Sequence, residues 1–81
     1  MAKSNGYRRI KRPSLHLLQE VPKHVRRLTE GIYSDDIEVR EFSAERLTDK
    51  RFVHEAVLPH LLNALQDESL HVRASASRAL F

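Results

Sequence analysis

The 81-residue sequence has no cysteine. A short secreted chain without disulfides lacks the usual supplement to a small core. A reducing, intracellular setting is therefore expected, the cytoplasm first and the nucleus or mitochondrion as alternatives. Two glycines and three prolines are too few for a turn-dense β architecture. Apolar runs stop at three or four residues, as in Ala56-Val57-Leu58-Pro59, far short of the ~20 that cross a bilayer, and no signal-peptide core opens the chain. Gly6 and Gly31 stand alone, so no glycine-rich loop is available to cradle a phosphate. With no thiol, and with serines placed at caps or among small packing residues, no nucleophile triad can be assembled. These absences argue against an enzyme and imply neither cofactor nor metal.

What is present divides the chain in two. Residues 1–13 hold Lys3, Arg8, Arg9, Lys11 and Arg12 and no acid, whereas residues 14–81 carry nine basic and eleven acidic groups. The basic pI therefore belongs to the first segment, read as a flexible arm. From Ser14, a candidate helix cap, the helical period sets in, with a break expected at Pro22, which cannot donate a backbone hydrogen bond. Val21, Val25, Leu28 and Ile32 fall within an arc of about 60° on a helix. Ser34-Asp35-Asp36 interrupts the pattern, and Asp35 with Glu38 forms a candidate capping box. The next helix aligns Val39, Phe42, Ser43 and Leu47. Leu58, Leu61, Leu62 and Leu65 form a third stripe. Asp67-Glu68-Ser69 turns the chain into a last helix with Val72, Ala76, Ala79 and Leu80.

The two hairpins are copies. A shift of 33 superposes Val25, Leu28, Ile32, Ile37, Val39, Arg40 and Leu47 on Leu58, Leu61, Leu65, Leu70, Val72, Arg73 and Leu80. Six of these pairs are apolar on apolar and the seventh is Arg on Arg, turn included. A period in this range signals a solenoid, in which stacked hairpins share one core. The expected fold is all-α: a short α-solenoid of two stacked antiparallel hairpins within residues 14–81, at about 21–48 and 54–81. The last helix is expected to offer an apolar flank to another subunit, a second copy or further sequence.

The segment from Val57-Leu58-Pro59-His60-Leu61-Leu62 through Asp67, Val72-Arg73 and Ala76 to Leu80 resembles the HEAT-like repeats, especially the type named for phycobilisome lyases. The first hairpin departs from the pattern, with Ser34 where the second has Asp67 and Arg46 where it has Ala79. The resemblance implies a polar ladder between repeats carried by Arg40, Asp67 and Arg73, with a rung missing at Ser34. It also implies a scaffold or accessory subunit that binds proteins, with a chromophore-lyase-like chaperone as a remoter analogy. Arg46 is expected to reach to an end face and mark a contact.

Two basic groups are candidate partner-binding residues: Arg8, Arg9, Lys11 and Arg12 in the arm, and Lys23, Arg26 and Arg27 on the first hairpin. The arm, with Tyr7, suits a polyanion, which gives nucleic-acid binding as the alternative function. A nuclear signal, an acid-free mitochondrial targeting segment and a kinase site at Ser14 are further uses of the same residues. His54 and His60 invite comparison with a zinc-binding His-Glu-x-x-His helix. Their spacing of six puts them about 120° apart rather than in line, so a structural or surface role is expected. His16, His24 and His71 lack partners at ligand spacing and are expected to face solvent.

Overall fold

The computed structural model describes Ile10 and residues 15–81. The arm cations Arg8, Arg9, Lys11 and Arg12, and the cap assigned to Ser14, lie outside those residues. Among the described residues five α-helices follow in order: α1 (Leu15–Gln19), α2 (Lys23–Gly31), α3 (Ile37–Arg46), α4 (Leu58–Ala64) and α5 (Leu70–Leu80). Single-turn 3-10 helices at Lys50–Phe52 and Glu55–Val57 join α3 to α4, and no strand occurs among the described residues.

Each boundary has a local cause. Pro22 ends the first segment, and its carbonyl accepts the N–H groups of Val25 and Arg26 to open α2. Pro59 sits in the first turn of α4, where its missing N–H costs nothing. The cap of α3 is Asp36 rather than Asp35: its Oδ1 accepts the Glu38 N–H at 2.9 Å. The helix starts one residue later than the capping-box reading requires, so Glu38 stands too early to reach back to the cap. Ser69 caps α5 from the equivalent position, accepting the Val72 N–H at 3.2 Å.

The helices pack as α2 on α3, α4 on α5, and α3 on α5, giving an all-α helical repeat fold of two hairpins side by side. Gly31 allows the first of these contacts. A Cβ there would overlap Ser43 Oγ and lie 2.8 Å from Ser43 Cβ, so α2 and α3 approach more closely than any larger residue permits. The core joins Leu18, Val21, Val25, Ile32, Ala44, Leu47, Val57, Leu61, Ala64, Val72 and Ala76, with Leu28, Leu65, Ala79 and Leu80 packed against it.

Three expectations are corrected. Val39 and Phe42, assigned to the buried stripe of α3, are 41% and 60% exposed. The interior side of α3 is Arg40, Ser43, Ala44 and Leu47, a face rotated by about one residue. An apolar-stripe argument cannot find that face, because its most buried large side chain is an arginine. Leu58 and Leu62 are exposed for the related reason that α4 turns Leu61 and Ala64 inward. Finally, Ile10, placed in the arm, is 4% exposed and belongs to the core cluster. An isoleucine side chain gains about 2 kcal/mol on leaving water, which outweighs its position within a basic segment.

Candidate functional site

The seam between the hairpins centres on a buried arginine. Arg40 Nε donates to Asp67 Oδ2 at 3.1 Å, with both side chains almost wholly buried, and Nη2 meets Glu68 Oε2 at 3.1 Å. Its Nη1 donates to the carbonyls of Ser34 and Asp35 at 3.0 and 3.3 Å. Arg73 repeats this last contact one hairpin later: its Nη1 donates to the carbonyls of Asp67 and Glu68 at 2.9 and 3.3 Å. Each arginine thus clasps the turn that precedes its own helix. The turns match as well. Asp67 Oδ1 accepts the Ser69 N–H at 2.9 Å, and Ser34 Oγ accepts the Asp36 N–H at 3.0 Å. Ser34 therefore performs the turn function of Asp67 but has no second oxygen for an arginine. Along the same seam Ser69 Oγ donates to Glu41 Oε2 at 2.7 Å, and His71 Nε2 lies 3.4 Å from Glu45 Oε1.

A second buried polar group joins the hairpins near α1. Asn63 Nδ2 donates to Tyr33 Oη at 3.2 Å, and Tyr33 Oη lies 2.8 Å from His60 Nδ1, donating to it when the imidazole carries its proton on Nε2 alone. The two rings meet edge to face at 5.7 Å. Burial pushes the His60 pKa below its ordinary value, a pull only partly opposed by a hydrogen bond to the Leu17 backbone. Burial likewise raises the Tyr33 phenol, against a smaller lowering by Asn63. Nothing in the sequence marked Tyr33. Its partner lies 27 residues on, the same separation as Arg40 from Asp67, so both contacts arise from stacking rather than local pattern. His54 is on a different element, where its Nδ1 accepts the Ala56 N–H at 3.0 Å. The two histidines flagged by the sequence both line one open pocket, together with Glu20 and Glu55. Among the described residues no group of three metal-ligating side chains comes together.

The basic patch of the first hairpin is divided. Arg26 Nε and Nη2 donate to the Val21 carbonyl at 3.1 and 3.0 Å, and Nη2 also reaches the Gln19 carbonyl at 3.0 Å. Its guanidinium satisfies carbonyls left open where α1 ends. Lys23 and Arg27 are exposed.

The most distinctive surface is one the sequence reading placed inside. Val39 and Phe42 stand exposed on α3, whereas Val72 and Ser75, their equivalents on α5, are fully buried. The flank of α5 that faces the first hairpin is covered, while the same flank of α3 is open. Phe42, with Glu45, Arg46, Thr48 and Asp49, lines a shallow groove on that side, and this is where Arg46 is placed.

Residues 57–80 match the family model described as HEAT repeat. No curated protein and no solved structure matches the chain.

Proposed function

We propose that the chain is a non-catalytic protein-interaction module, a short HEAT-type solenoid in which both hairpins are repeats. The Arg40–Asp67 pair acts as the rung between them, and Arg73 holds the equivalent position in the second repeat. The observation that carries this reading is the open flank of α3. A helix that exposes Val39 and Phe42 at positions which its own repeat buries one hairpin later presents a surface shaped for another helical element. The HEAT match over residues 57–80 supports it, because such repeats generally serve as scaffolds for protein partners.

Affinity capture of the chain from its source cells, with and without nuclease, tests the proposal. A protein partner that survives nuclease and is lost on Phe42→Ser agrees with it. Binding abolished by nuclease and unaffected by Phe42→Ser would instead assign function to the cations, with Arg8, Arg9, Lys11 and Arg12 as the residues to replace.

A further inference from the structure

The interaction surface just proposed has a definite occupant, and the molecule's own seam is the template for finding it. In that seam α3 faces α5. Glu41 receives the Ser69 hydroxyl, Glu45 pairs with His71, and Ala44, Val72 and Ser75 are fully buried. A translation by one repeat converts each side of the contact into a surface that is open. On α5, Glu41, Ala44 and Glu45 become Ala74, Ser77 and Arg78, all exposed. On α3, His71, Val72 and Ser75 become Glu38, Val39 and Phe42, also all exposed.

The substitutions between the covered contact and these open surfaces compensate one another. The Glu45–His71 contact becomes Arg78 and Glu38, so an acid again meets a basic side chain, with the two positions exchanged. On the open surfaces the larger, apolar Phe42 stands in place of Ser75, and the small Ala74 in place of Glu41. From Leu70 to Phe81 there is no acid to repel Glu38. We infer that the partner at the α3 flank is a second copy of this chain, stacked head to tail, with α5 of one molecule against α3 of the next. Symmetric pairings do not satisfy the same charges. Two α5 helices would oppose arginines with no acid between Leu70 and Phe81 to meet them, and two α3 helices would leave Arg78 outside the contact. A head-to-tail contact uses different surfaces on the two partners, so it extends rather than closing as a dimer.

Sedimentation velocity on the full chain, from micromolar to millimolar, tests this. The weight-average mass is expected to rise with concentration and to fall again in high salt. Glu38→Arg and Arg78→Glu should each weaken association about tenfold, from loss of the attraction plus like-charge repulsion. An equimolar mixture of the two variants should restore it, because each then offers the charge the other lacks. Both residues are exposed, so circular dichroism should show an intact fold. Should either reversal unfold the chain, Glu38→Gln and Arg78→Gln read the same contact and should each weaken association. A chain that stays monomeric throughout overturns the inference. So does association indifferent to these substitutions, or a mixture that fails to restore it. A monomeric result leaves the broader protein-binding reading to the capture experiment, which does not require a second copy.

Discussion

Asp67→Ala should be among the most damaging single substitutions in the second hairpin. Its carboxylate is fully buried and uses both oxygens, one for Arg40 Nε and one for the Ser69 N–H. Removing one member of a buried ion pair costs about 3–5 kcal/mol, because the other charge is left without its partner. The lower end applies here, since Arg40 keeps Glu68 at 3.1 Å and two backbone carbonyls. Loss of the bond to the Ser69 N–H adds about 1 kcal/mol, for a total of about 4. A chain of 81 residues has a stability of about 4–12 kcal/mol, so the loss is a large share of it. Ser34 supplies the control. It already makes the equivalent turn bond, so Asp67→Ser should keep that bond and lose only the ion pair, about 3 kcal/mol. Arg40→Met combined with Asp67→Ser should then recover most of the loss, because no buried charge remains unpaired. Urea unfolding followed by circular dichroism measures all three, with an unchanged denaturant slope confirming a common unfolded state. If Asp67→Ala lies within about 0.5 kcal/mol of the parent, or if the double variant is no more stable than Asp67→Ser, the seam does not hold the hairpins as argued.

Gly31→Ala, which in an exposed helix adds up to about 1 kcal/mol of stability, should here cost about 1–3 kcal/mol through overlap with Ser43. Ser43→Gly in the same chain should restore much of it, as read by thermal melts. Val72→Ala should cost about 2 kcal/mol and Val39→Ala close to none, although the two valines lie 33 residues apart at matching positions of the two hairpins. Equal losses would refute the assignment of covered and open flanks. The His60 pKa is lowered in the folded chain, so the unfolded chain binds more protons in acid. Stability should therefore be level above the ordinary histidine pKa of about 6.5 and decline as pH falls through it, towards the lower folded value. His60→Gln should flatten that part of the profile, measured by urea unfolding at several pH values.

The helices were legible in the sequence because they depend on short-range periodicity and turn chemistry. Pro22, the Asp67-Glu68-Ser69 turn and the shift of 33 each announce themselves locally. The orientation of α3 was not legible, since its interior face holds Arg40, Ser43 and Ala44 while Val39 and Phe42 point outward. Hydrophobicity ranks those residues in the opposite order. Arg40 becomes an interior residue only once Asp67 is stacked against it, and that pairing is a property of the second hairpin. Tyr33 was missed for the same reason, its partner being contributed by α4. Ile10 was hidden by its neighbours in the sequence: four arginines and lysines flank a side chain that packs in the core. Arg26 looked like a surface cation because its acceptors are backbone carbonyls, which no side-chain pattern reveals.

The open flank of α3 is the surface proposed to bind protein. Photo-crosslinking from position 42, with a benzophenone side chain in place of Phe42, examines that surface directly in the source cells. A protein adduct is expected that resists nuclease and is absent when the same group replaces the exposed Glu55, which lies on another element. Equal adducts from both positions, adducts only to nucleic acid, or none from position 42 would contradict the proposal.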